Sequence, residues 1–156
     1  MNASTKEEVL THLRCALREK ARVLSRALAD SEENASGDET KSEGKYDTRA
    51  VEAAYLAEAQ KEQLTLTEQD IVTLDRFIPE TFDINGKASL GALVEVNQEG
   101  EITFYFLLPT GGGLTATYLG CDVTVITPDS TLYQSLSGMA LGETLSTPSL
   151  TLSGLE

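Results

Sequence analysis

Residues 46–78 read YDTRAVEAAYLAEAQKEQLTLTEQDIVTLDRFI. Tyr46, Ala50, Ala53, Ala57, Gln60, Leu64, Thr67, Ile71, Leu74 and Ile78 step through this stretch by fours and threes without a break. That spacing keeps side chains on one narrow stripe of an α-helix. The stripe is small where it begins, with three alanines, and larger where it ends. A helix with so narrow an apolar seam needs another helix to cover it. Within it, LTLTEQD (residues 64–70) predicts an interruption, because Thr67 and Asp70 resemble a new capping pair.

The partner lies upstream. A first helix is predicted from about Lys6 to about Ser31, with Ser4 or Thr5 as N-cap and Glu7 and Glu8 near the positive end of its dipole. Leu10, Leu13, Leu17 and Leu24 share a seam that Lys20 interrupts and Ala27 or Leu28 resumes. The only joint between the two patterns is the polar segment around Gly37 and Gly44, so an antiparallel coiled coil with its turn there follows. At 1.5 Å per residue its arms reach roughly 40 Å. Asp38, Glu39 and Glu43 gather at that turn. Two readings stand: the acids are presented to another molecule, or they serve the turn itself, with Thr40 and Glu43 as a capping box and Asp38 as a local cap. Arg14, Arg18, Arg22 and Arg26 recur every fourth residue on the first helix. Three like-charged neighbours at this spacing cost about 0.6–1.5 kcal/mol if uncompensated. Either they pair with Glu19, Glu52, Glu58 or Glu62 as a solvated face, or they form a basic stripe for RNA or an acidic wall.

Composition bounds the rest. A chain of 156 residues that is 40% apolar supports one sizeable core, or a small core with a helical extension. A formal charge of −13 argues against holding duplex nucleic acid through its phosphates. The N-terminal residues lack the apolar core of a signal peptide and no apolar run approaches a membrane span, so the expected location is cytoplasmic. Cys15 and Cys121 stand far apart and His12 is the one histidine, which excludes a Cys/His zinc site or a His-based triad; both cysteines are expected to be buried. Every Lys and Arg lies at or before Lys87, and from Ala88 to Glu156 the only charged side chains are acids. Ala, Glu and Arg give way at the same place to Val, Thr, Phe, Tyr and Gly. The expected organisation is therefore α+β: a helical hairpin over residues 1–79, then a β-rich domain over 80–156.

In that second part, GALVEVNQEGEITFYFLLP predicts a strand over Leu90–Val96, a turn at Asn97–Gly100 and a strand through Leu108. TGGGLTATYLGCDVTVITP predicts a Gly-rich loop and one or two strands ending near Pro128; the loop has no Lys and no Walker spacing, which argues against a phosphate cradle. PDSTLYQSLSGMALGE predicts a short helix capped by Asp129 or Ser130, with Leu132 and Leu136 inward and Gly138 ending it. A last strand falls within Ser149–Leu152.

Two stretches together resemble the Gre family of bacterial transcript-cleavage factors, in particular its shorter Gre-like members. ETKSEGKYDTRAVEAAYLAEAQ (39–60) is similar to the family's acidic tip and following helix; VTVITPDSTLYQSLSGMALGE (123–143) is similar to its final motif of strand, Ser-Pro, short helix and two spaced glycines. The resemblance implies a cytoplasmic accessory factor, not itself an enzyme, that docks on RNA polymerase through an FKBP-like antiparallel β domain with one short helix. It further implies that the coiled coil enters the secondary channel and that tip carboxylates help hold a Mg²⁺ shared with polymerase for cleavage of backtracked RNA. Matched backward from Tyr46, Glu39 falls where the family has its metal-recruiting Asp, and Ser42 or Glu43 where it has the Glu; Asp38, Glu39 and Glu43 are the implied metal ligands, Glu39 and Glu43 the implied catalytic pair. Arg14, Arg18, Arg22 and Arg26 become candidate RNA or polymerase contacts. Docking is implied around Pro128, Asp129, Ser130, Leu132, Gly138 and Gly142, where Thr131 replaces the family's Pro, Met139 a frequent Lys and Glu143 an Asp. Two alternatives stand beside this: a polymerase-binding regulator without cleavage, and an interaction module unrelated to transcription, such as a coiled-coil adaptor or prolyl isomerase. The last requires an aromatic-lined pocket, which consecutive Phe104, Tyr105 and Phe106 do not by themselves supply.

Overall fold

A computed structural model describes the backbone over residues 3–36 and 47–156, and side chains over 5–34 and 48–156. Helix α1 spans Ala3–Ser36 and helix α2 spans Asp47–Arg76. Strands β1 (Leu93–Gln98), β2 (Glu101–Leu107), β3 (Thr115–Tyr118) and β4 (Cys121–Ile126) follow, then helix α3 (Thr131–Leu136) and strands β5 (Thr144–Ser146) and β6 (Ser149–Leu155). The fold is α+β: a helical hairpin and a β domain with one short helix. The chain divides into two compact units, Leu17–Val72 and, separately, Met1–Ala16 with Thr73–Glu156. The change of composition suggested a division at 79/80; packing instead places the first residues of α1 and the last of α2 with the β domain.

Among the described residues of the unit Leu17–Val72, only α1 and α2 are available to cover each other. Ala57 and Thr67 are buried, and Ala50, Ala53, Gln60, Leu64 and Ile71 are half-buried, while Val51, Tyr55, Leu56 and Leu66 beside them are exposed. The seam therefore faces inward. On α1, Leu17 and Ser31 are buried and Leu24 is half-buried. Helix α2 runs through LTLTEQD without a break: the Thr67 hydroxyl donates to the Gln63 carbonyl at 2.9 Å, so it bonds one turn back and caps nothing. Ile78, expected on the seam, lies past the helix end and is 84% exposed.

The other unit is built on a six-stranded sheet of order β3-β4-β2-β1-β6-β5. It is mixed, not wholly antiparallel as expected, because β2 and β4 run parallel, Phe104 opposite Val123 through Leu107 opposite Ile126. The β1–β2 turn falls at Glu99 and Gly100 and the β3–β4 turn at Leu119 and Gly120; all four residues have positive φ. A two-residue hairpin needs this pattern for its twist to match the strands. Between Glu95 and Val96 the β1–β6 register slips. Gly154 sits opposite, where an added Cβ would lie 2.8 Å from the Glu95 Cβ. One sheet face packs Val94, Val96, Leu107, Ile126, Leu150 and Leu152 against Tyr133 and Leu136 of α3. Ser130 caps α3 by accepting from the Tyr133 amide at 3.4 Å, and Gly138, at φ 87°, follows the Ser137 C-cap.

Candidate functional site

The tip acids Asp38, Glu39 and Glu43 lie outside the described residues, as does the joint around Gly37 and Gly44. The other sequence-derived candidates are placed. Arg14 is only 20% exposed at its side chain; its Nε donates to the Leu74 carbonyl at 3.0 Å and its terminal nitrogen to the Phe77 carbonyl at 3.1 Å. These carbonyls stand where the helical ladder of α2 runs out, the Leu74 carbonyl also accepting from the Phe77 amide at 3.3 Å. Asp75 lies 3.9 Å from the same guanidinium. Arg14 thus fastens the base of α2, whereas Arg18, Arg22 and Arg26 are exposed and fall in the other unit. Arg22 forms a two-pronged pair with Glu19, Nε to Oε2 at 2.9 Å, which holds the Glu19 carboxyl below its ordinary range. That is one of the pairings the solvated-face reading named.

The six docking candidates lie on the connection between β4 and β5. Pro128, Asp129, Gly138 and Gly142 are exposed; Ser130 is half-buried as the α3 cap, and Leu132 packs against the core. The Thr127 hydroxyl donates to the Asp129 carboxylate and lowers its pKa. Gly138 N–H donates to the Ala88 carbonyl at 2.7 Å and Gly142 N–H to the Leu152 carbonyl at 2.8 Å, so both loop ends are tied to the sheet region.

Two features escape sequence reasoning. Lys6 is buried, its ammonium donating to the Glu80 carbonyl at 2.6 Å and lying 4.8 Å from the centre of the Phe82 ring. Desolvation pulls its pKa down to about 8, against the opposing pull of Glu156 and Glu80. The second feature is a cleft of about 580 Å³ on the sheet face turned away from α3, lined among others by Val9, Phe104, Tyr118 and Leu119. The three aromatics of β2 divide: Phe104 lines this cleft, Phe106 is fully buried, and Tyr105 packs toward the α3 side. Phe104 and Tyr118, on different strands, are the cleft's aromatic lining residues; the Tyr118 ring lies 6.2 Å from the ring of His12. The one sequence signal for the cleft is "YLGC", residues 118–121, where a Leu takes a hairpin-turn position that Asn, Asp or Gly ordinarily fills. Cys15 and Cys121, expected buried, are both exposed and free; Cys15 lies off the Leu10, Leu13 and Leu17 seam, and Cys121, on the Val123 face, stands at the end of β4 beside the cleft.

Among the described residues no group of three or more His, Cys, Asp or Glu side chains is placed to hold a metal ion. Among them, too, no helix is long and apolar enough to cross a membrane. No protein-family model matches the chain, and no curated protein matches it. Among solved structures it is similar to the GreA factor homolog 1 (Gfh1) protein of Thermus thermophilus, at 18% identity over 97% of this chain and 94% of that one, with a TM-score of 0.36. At so low a score, the fold rests on this chain's own helices, registers and buried side chains.

Proposed function

We propose that the chain is a Gre-like transcription elongation factor of the bacterial cytoplasm that binds RNA polymerase, inserts its helical hairpin into the secondary channel, and promotes cleavage of backtracked RNA without being an enzyme itself. The observation that carries this reading is the order of parts. Helices α1 and α2 flank an acidic joint containing Asp38, Glu39 and Glu43, and α3 sits inside the 123–143 segment that resembles the family's final motif. Carboxylate oxygens suit Mg²⁺, which keeps most of its waters and needs only one or two protein ligands beside a phosphate. Such an ion, shared with polymerase, supplies positive charge at the phosphate and a more acidic water. The chain's own task is to carry these oxygens to a centre that another protein owns, with the 128–142 connection docking outside the channel.

One observation favours a second reading. Glu39 stands where the family has Asp, and Ser42 competes with Glu43 for the place of its Glu, so the tip is suited to polymerase binding without cleavage. Transcript cleavage on stalled, backtracked complexes with a Mg²⁺ titration, run beside a polymerase pull-down, separates the readings. Stimulated cleavage that disappears in Glu39→Ala or Glu43→Ala, with affinity unchanged, is the expected result. Full activity in both variants refutes the tip assignment. Binding without cleavage by the unmodified chain selects the second reading, and no binding to polymerase ends both.

A further inference from the structure

Gly154 pairs with Glu95, Glu95 with Phe104, and Phe104 with Val123, so these residues form one transverse row on the sheet face turned away from α3. With Val9 of α1 they line the 580 Å³ cleft, a volume in the range of ordinary ligand sites. Leu119 stands on its rim. Its side chain is 85% exposed and its φ is +51°, a region costly for a residue with a branched apolar side chain. A residue that is unfavourable both for its backbone and for its solvation, placed at the mouth of an apolar cleft, points to a contact made with something else.

The charged side chains that line the cleft are all acidic. Glu95 is half-buried within it, its Oε1 accepting from the Ser153 hydroxyl at 2.8 Å, and a carboxylate so held keeps capacity for further donors. Glu156 also lines the cleft, and Glu8 hydrogen-bonds the Tyr118 hydroxyl and raises its pKa. Among the described residues that line it there is no Lys or Arg. Lys6, next in the chain to the lining residue Thr5, donates to the Glu80 carbonyl and already acts electrostatically on Glu156, which makes Glu95 the acid that the cleft offers. We infer that this cleft is a docking site for a protein segment that carries a bulky apolar side chain directly beside Arg or Lys: the apolar group enters over Phe104 and Val123 under Leu119, and the cation reaches Glu95. The inference goes beyond polymerase binding and does not depend on it.

The test is amide NMR of the full chain titrated with acetyl-Gly-Arg-Phe-Arg-Gly-amide, with Glu-Phe-Glu and Arg-Ala-Arg counterparts as controls. Saturable shifts at Leu119, Cys121, Ser153 and Gly154 are expected for the Arg-Phe-Arg peptide, with Kd on the order of 0.1–1 mM and about tenfold weaker binding of each control. Leu119→Asn, which suits the turn, and Glu95→Gln should each weaken it by about three- to tenfold while leaving the remaining spectrum in place. No saturable shift, equal binding of all three peptides, or indifference to both substitutions overturns the proposal. So does concentration-dependent self-association lost in Leu119→Asn, which would give the cleft to a second copy. Saturable binding of benzyltrimethylammonium without binding of the peptide likewise overturns it, in favour of a small-molecule site.

Discussion

Arg14 was one of four arginines with a common spacing, and spacing does not distinguish a side chain aimed at solvent from one aimed at a neighbouring helix end. Its two bonds to the Leu74 and Phe77 carbonyls make it a fastening for the end of α2. Arg14→Ala should cost about 1.5–3 kcal/mol in urea unfolding, and Arg14→Lys should recover only part, since a single ammonium does not reproduce the guanidinium fork. Leu119 predicts the opposite sign. Leu119→Asn should raise stability by about 1 kcal/mol, because Asn tolerates positive φ and an exposed Leu gains nothing by staying. Lys6 gives a pH signature. Its folded pKa of about 8 lies below the unfolded value near 10.5, so between those limits the unfolded chain binds more protons and stability rises with pH. Subtracting the unfolding free energy of Lys6→Met at each pH should expose that rise, and a flat difference from pH 8 to 10.5 would contradict the burial.

At the scale of elements, the α2 seam was legible because an alternation of fours and threes survives any partner: from Ala50 to Leu74 every member is buried or half-buried. Gln60 is the polar intruder, with its Oε1 buried and unmatched by any donor among the described residues. Gln60→Leu should therefore stabilise by about 1–2 kcal/mol in thermal unfolding, by removing an unpaid desolvation. The strand that sequence did not reveal, β5, is three residues long, and its outward Thr144 and Ser146 look like loop. The parallel pairing of β2 with β4 was equally hidden, since strand composition carries no direction. The cleft was illegible for another reason: its lining comes from α1, from β1, β2, β3, β4 and β6, and from Leu141, which only the assembled sheet brings together.

For the whole molecule, charge is the dominant long-range fact. Residues 88–156 hold Glu95, Glu99, Glu101, Asp122, Asp129, Glu143 and Glu156 with no Lys or Arg, and the chain carries −13 overall. Self-repulsion of that kind is screened by salt. Raising NaCl from about 10 mM to about 300 mM should increase stability by about 0.5–1 kcal/mol, and a fall would mean that pairs such as Arg22–Glu19 outweigh the general repulsion.

The unit formed by residues 1–16 with 73–156 also sets an order of events during synthesis. Val9 and its neighbours leave the ribosome well before the strands that will shelter them exist, and must wait while residues 17–72 are made. An early-emerging apolar segment without its shelter is a target for chaperones, and a fragment begun after α1 would lack one wall of its own β domain.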